Sequence, residues 1–272
     1  MSSNQRIAVL GLGKMSGILL QAFLKQGLFQ PAQIAATVAH EERATTLAAQ
    51  LGINVSTNNV EAARGADVVL LGVKPTQIED LAREIAPVLP PHALVLSIAA
   101  STKLAPIEKA LGTEKPAVVR AMPNTPAKVG AGITALCRGH WISDEQLALA
   151  EKIFQTVGRT VVVDEKHMDA VTGLSGSGPA FIYIILEALA EAGVNVGLPR
   201  DIATMLAAQT TFGAAKMVLE TGAHPAVLKD EVTTPAGCTV DGIMELEAGG
   251  VRHTLIKTVK RAAERAKELA GN

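Results

Sequence analysis

Apolar positions follow two different periods along the chain, and the change from one to the other divides it. Up to about residue 165, short β-rich apolar runs alternate with stretches whose apolar residues recur every three or four positions. Ile7–Leu10 is the first run, and Ile18, Leu19, Ala22 and Phe23 follow it at helical spacing. Strands are predicted over 33–38, 66–73, 93–98 and 117–122, with helices over 42–51, 78–88 and 104–111 between them. The run 66–73 is nearly continuous, as a strand covered on both faces requires. Such alternation predicts a parallel sheet with right-handed crossovers. Segments 133–137 and 160–163 add strands around a helix over 144–156, capped by Ser143. From Lys166 onward no strand is predicted, and segments 180–192, 200–220, 225–228, 240–248 and 251–269 all read as helical. The expected organisation is an α/β domain over 1–165 followed by an all-α domain over 166–272. The stretch Phe181-Ile-Tyr-Ile-Ile-Leu186 is apolar around most of its helix. About a hundred residues can hardly bury such a helix alone, which points to a partner subunit.

Composition narrows the function. Of 272 residues, 48% are hydrophobic and only 3% aromatic, so Ala, Val, Leu and Ile must build the core. A formal charge of −1 offers no general attraction to nucleic acid or to anionic membrane surfaces. Cys137 and Cys238 lie far apart, lack a disulfide framework and fit a reducing cytoplasm. No uninterrupted apolar run approaches the ~18 residues that span a bilayer, so no membrane span is expected. The six histidines show no metal-ligand spacing, and no metal site is expected.

Candidate chemistry gathers where strands end. In open α/β sheets ligands sit at the carboxyl ends of the strands, which would bring Gly11–Gly13, residues 37–40, 73–75, 99–101 and 122–126 to one crevice. Strand, glycine turn and helix over 6–17 suit a dinucleotide pyrophosphate: Gly11 permits a sharp turn, Gly13 close approach, and the helix start faces the negative charge. Ser16 stands in place of the third glycine, where it could donate to phosphate. At the end of the second strand, Thr37-Val-Ala-His40-Glu-Glu-Arg43 holds no acid at the strand end itself. Thr37, His40 and Arg43 are candidate donors to a 2′-phosphate, which favours NADP over NAD. Met122-Pro-Asn-Thr-Pro126 fixes its backbone with two prolines, so Asn124 could be held against a nicotinamide amide or could belong to a rigid interdomain turn. Thr233-Thr-Pro-Ala-Gly-Cys-Thr239 leads into a helix expected to begin near Val240. It reads either as a receptacle for a small carboxylate or as a loop whose Thr239 caps that helix.

Taken together, Gly11-Leu-Gly13-Lys-Met15, Val73-Lys-Pro75, Met122-Pro-Asn-Thr-Pro126 with Val129-Gly-Ala-Gly132, Gly173-Leu-Ser-Gly-Ser-Gly-Pro-Ala180 and the block Pro225 through Gly242, with Val232 to Thr239 its most specific part, resemble the Δ1-pyrroline-5-carboxylate reductase family nearly end to end. The resemblance implies an N-terminal Rossmann domain holding NADPH or NADH, and a helical domain forming an intertwined homodimer, in some members a ring of dimers. It implies hydride transfer to the ring imine of 1-pyrroline-5-carboxylate, giving L-proline, the last step of proline biosynthesis. By position, Thr234, Gly237, Cys238 and Thr239 would bind substrate, with Thr239 the catalytic hydroxyl beside the ring nitrogen. Gly11, Gly13, Lys14, Met15, Ser16, Thr37, Asn59, Val73, Lys74, Pro75 and Asn124 would touch cofactor. Pro235-Ala-Gly237 departs from the Gly-Gly more common there. A protonated imine is already an electrophile, so a catalytic lysine is unnecessary, and between Lys166 and Lys216 the chain has none.

Overall fold

The computed structural model describes residues 5–112 and 115–271. Two compact units emerge: residues up to Ser177 together with the stretch from Ala262 onward, and residues Gly178–Arg261.

In the first unit the strands are β1 (Ile7–Leu10), β2 (Ile34–Thr37), β3 (Asn54–Ser56), β4 (Val68–Leu71), β5 (Leu94–Ser97), β6 (Ala117–Met122), β7 (Gly132–Arg138) and β8 (Gly158–Val162). They form one sheet in the order β3-β2-β1-β4-β5-β6-β7-β8. Between them run α1 (Lys14–Lys25), α2 (Glu41–Leu51), α3 (Asn59–Ala63), α4 (Ile78–Ile85), α5 (Leu104–Leu111) and α6 (Asp144–Gln155), before a short α7 (Met168–Val171). Successive strand residues point to opposite faces. Val9, Leu70 and Val119 therefore join Leu20, Phe23 and Phe154 in one core layer, while Leu10, Val69 and Val95 join Ile78, Ile85 and Ile107 in the other. Ser143 caps α6 by accepting from the Gln146 amide at 3.2 Å, as expected. The 3-10 turn Glu165–His167 stands where the domain boundary was expected, and the compact unit continues through α7 to Ser177.

Two expectations change. The sheet is not wholly parallel, because β7 pairs antiparallel with β6, with Arg120 opposite Cys137. The connection from Met122 to Gly132 is too short for the dozen or more residues a crossover needs, so the chain reverses beside its own strand. The neighbourhood of that reversal also buries a charge. Arg120, only 3% exposed, donates to Glu165 Oε1 at 3.3 Å, and the same oxygen accepts from the Leu104 amide at 2.7 Å. Burial, reinforced by Glu165, pushes the Cys137 thiol up to about 11, so it stays protonated at neutral pH.

The second unit is helical: α8 (Gly178–Asn195), α9 (Arg200–Thr221), α10 (Pro225–Glu231), α11 (Cys238–Ala248) and the part of α12 (Val251–Ala270) up to Arg261. Pro179 falls in the first turn of α8, directly after the π-helical turn Thr172–Gly176, so its missing N–H withdraws a donor from the turn before it. The apolar run 181–186 is not enclosed by its own chain: Tyr183 is 60% and Ile184 66% exposed. Ile256 on α12 is exposed as well. Helical segments 165–195 and Arg200–Thr221 are long and apolar enough to cross a membrane by length and mean hydropathy. Scanning for unbroken apolar runs alone passes over such helices.

Candidate functional site

β1 ends at Gly11, whose φ of +88° lies in the region only glycine enters without strain. A Cβ there would come within 2.6 Å of Val73 Cγ1 and 2.9 Å of the Val73 amide, so the β1 and β4 loops pack backbone against backbone. Opposite it, a Cβ on Gly72 would fall 2.0 Å from Ser16 Oγ. Ser16 is buried beneath Gly72 and its hydroxyl has no hydrogen-bond partner among the described residues. Its small size lets α1 approach the sheet, which is the packing role of the fingerprint's third glycine. Burial takes it off the wall that a phosphate would meet, contrary to the expectation that its hydroxyl reaches one. Gly13 forms the start of α1 without a side-chain cap, the condition in which a helix start receives an anion.

The end of β2 holds this loop in place. Thr37 Oγ1 accepts from the Gly11 amide at 3.1 Å and donates to Asn59 Oδ1 at 2.8 Å, while Asn59 Nδ2 donates to Glu84 at 3.1 Å. Thr37 is buried and its one proton is committed, so it is no donor to a 2′-phosphate. Arg43 donates from one guanidinium nitrogen to the Leu12 carbonyl at 3.1 Å and lines the cleft. Glu41 is turned to the Thr57 hydroxyl. His40 is exposed and leaves the start of α2 uncapped.

A cleft of about 320 Å³ gathers Gly11, Gly13, Thr37, Asn59, Val73 and Lys74, with Arg43 at its wall. Thr57, Gln77 and Gly72 also line it and were not singled out in the sequence; Gly72, within Leu71-Gly72-Val73, was the one with a visible signal. Lys14, Met15 and Ser16 follow Gly13 in the first turn of α1 and are not on that wall. Pro75 lines a separate cavity of about 420 Å³ beside Ser101 and the end of α12. Asn124 is elsewhere too: its Oδ1 accepts from the Ile133 amide at 3.0 Å and its Nδ2 donates to the Ser175 carbonyl at 3.1 Å. An αL glycine with no room for a side chain, an uncapped helix start and an arginine at the rim fit a nicotinamide dinucleotide with a 2′-phosphate.

In the second unit Thr234, Gly237, Cys238 and Thr239 lie on one turn. The Gly237 amide donates to the Thr234 carbonyl at 3.0 Å, closing a tight turn with Pro235 and Ala236 at its centre. Ala236 has φ +59°, so it occupies the position that a type II turn reserves for glycine. Gly237 precedes α11, which starts at Cys238 and carries no side-chain cap. Thr239 is thus the second residue of the helix and does not cap it, two places earlier than the expected start allowed. A Cβ on Gly237 would lie 2.3 Å from Thr234 Oγ1, so that hydroxyl sits directly over the helix start.

A doubly wound sheet with this glycine turn, joined to a helical unit with an uncapped anion-receiving start, defines a nicotinamide-dependent oxidoreductase. Residues 6–101 match the family described as NADP oxidoreductase, coenzyme F420-dependent, and residues 165–269 match the pyrroline-5-carboxylate reductase dimerisation family. The chain is 46% identical over 266 residues to a pyrroline-5-carboxylate reductase of Methanosarcina acetivorans, covering 98% of each chain. It is 40% identical over 264 residues to one of Glycine max, covering 97% of this chain and 96% of the other. A pyrroline-5-carboxylate reductase structure from Coxiella burnetii superposes with a TM-score of 0.90 at 37% identity, covering 98% of this chain and 99% of that one. A pyrroline carboxylate reductase structure from Plasmodium falciparum, solved with NADP bound, gives 0.87 at 29%, with the same coverage. The chain belongs to the pyrroline-5-carboxylate reductase family.

Proposed function

We propose that the protein reduces 1-pyrroline-5-carboxylate to L-proline with NADPH, NADH serving less well, as the last step of proline biosynthesis. The observation that carries this reading on the chain itself is the Thr234–Gly237 turn over the uncapped start of α11, a receptacle for one small carboxylate. When bound, the nicotinamide supplies a hydride from its C4. Gly11 and Gly13, with the first turn of α1 at Lys14 and Met15, receive the pyrophosphate; Asn59, Val73 and Lys74 border the cofactor, and Arg43 pairs with the 2′-phosphate. Thr234, Gly237 and Cys238 hold the substrate carboxylate. Thr239 is the catalytic residue: its hydroxyl hydrogen-bonds the ring nitrogen, which is protonated before transfer and becomes the neutral secondary amine. Because the substrate enters as an iminium, the residues contribute chiefly orientation.

In this reading residues 1–165 hold cofactor, and 166–272 hold substrate and form a homodimer that assembles further into a ring of dimers in the cytoplasm. The exposed apolar faces of α8 and α9 meet a second copy and not a lipid bilayer, which the match of 165–269 to a dimerisation family supports. Purified protein should consume NADPH only with pyrroline-5-carboxylate and yield proline; no turnover with either nicotinamide cofactor overturns the reading. Thr239→Ala should lower kcat by more than tenfold, about 1.4 kcal/mol of barrier or more.

A further inference from the structure

Asn124 follows β6 at the carboxyl edge of the sheet, is 8% exposed, and is off the cofactor cleft. Its partner Ser175 belongs to the π-helical turn Thr172–Gly176, in which the Ser177 amide reaches back five residues to the Thr172 carbonyl at 2.9 Å. In a continuing α-helix the Ser175 carbonyl would accept from the residue four places on. That residue is Pro179, which has no N–H. Asn124 supplies the missing donor from another element, while its carbonyl oxygen takes the Ile133 amide at the start of β7. The same turn touches β6 again, since a Cβ on Gly176 would lie 2.6 Å from Met122 Cε. Two proline-marked motifs, Met122–Pro126 and Gly173–Pro179, are thus complementary: one orphans a carbonyl and the other satisfies it.

We infer that Asn124 is a positioning residue for hydride transfer. It locks the chain leaving β6 to both β7 and the π turn, and so fixes the backbone at the carboxyl end of β6, where sheets of this kind receive their ligand. It does so without touching the nicotinamide. The inference rests on the reductase reading, and hydride transfer is sensitive to displacements of about an ångström.

The test is steady-state kinetics of Asn124→Ala, alone and combined with Pro179→Ala, which returns an N–H at the place the Ser175 carbonyl lacks one. The single variant should lose at least tenfold in kcat with KM for NADPH within twofold of the parent, and the second substitution should recover threefold or more of the kcat. Raised KM for NADPH at unchanged kcat would show direct cofactor contact and overturn the inference. So would unchanged kinetics, or no recovery from Pro179→Ala. If Asn124→Ala does not fold, Asn124→Asp keeps an acceptor for Ile133 and sets a carboxylate oxygen against the Ser175 carbonyl in place of the donor; the same split of kcat from KM is expected of it, and a raised KM for NADPH at unchanged kcat would overturn the inference. Failure of the parent protein itself to turn over would fall on the reductase reading instead.

Discussion

Val9, Leu70 and Val119 in the first unit are walled in by their own chain, whereas Ile184 and Phe212 in the second, no less apolar, stand 66% and 57% exposed. The first unit buries a strand face by laying helices on it, which one chain supplies. Helices of the second unit carry apolar residues on more faces than one chain of that size covers. Stability of the first unit is then a property of the molecule, and that of the second depends on protein concentration.

The harshest way to break this contrast is to charge each core in turn. Ile184→Glu should leave the first unit folded and abolish dimerisation, since an unpaired buried carboxylate costs several kcal/mol, roughly a hundredfold or more in association. Light scattering on a size-exclusion column checks it, and a fully active dimer would undo the comparison. Val95→Glu, between fully buried strands, should instead unfold the first unit, with loss of its circular-dichroism signal at every concentration.

A smaller change probes the charge that the self-contained unit does bury. Glu165→Ala leaves the Arg120 guanidinium inside without its partner and should cost about 2–4 kcal/mol in urea unfolding, the lower part of that range reflecting the partial exposure of Glu165. Adding Arg120→Met should return part of the loss, and additive losses would show the two do not interact.

Each unit holds a non-glycine residue at φ +59°, Ser101 in the first and Ala236 in the second, and the second gives the next test. Ala236→Gly should raise the stability of the helical unit by about 1 kcal/mol, because a left-handed alanine costs roughly that much. Calorimetry showing an unchanged or lower Tm would mean the turn is relaxed.

The smallest effect is electrostatic. Burial alone would raise the Asp67 carboxyl, but the Arg6 amide and the His92 hydrogen bond and charge outweigh it, so it lies below the ordinary value. Its stabilisation is therefore present above the usual carboxylate pKa of about 3.9 and lost as pH falls through the folded value. Asp67→Asn should lower the urea midpoint slightly at pH 7 and leave it unchanged near pH 2; equal shifts at both would remove the carboxylate from the account.

Most of this architecture was legible along the chain, and the exceptions share a cause. Leu104–Leu111 and Ala117–Met122 emerged at their observed bounds because periodicity and apolar runs are local signals. The three residues of β3 carry no run and exist because Ala36 pairs with Val55. Periodicity also carries no direction, so β7 read as a strand but not as a reversed one. At the site, the glycine turn was visible because its backbone demand is local. The burial of Ser16 under Gly72, the commitment of Thr37 to Gly11 and Asn59, and the donation from Asn124 to Ser175 depend on where other segments bring their atoms. Gly237, not Thr239, opens α11 because the preceding turn closes early.

The first unit is discontinuous: its last portion begins at Ala262, and Ser101, itself at φ +59°, donates to the Ala266 carbonyl at 3.1 Å. A ribosome making roughly 5–20 residues per second emits the sheet many seconds before those turns of α12 exist. The nascent sheet therefore waits, with the loop after β5 unsealed, until the helical unit has also been made. Cofactor arriving during synthesis would meet the residues of the cleft at Gly11 and Arg43 already made, while the separate cavity at Ser101 still lacks the end of α12.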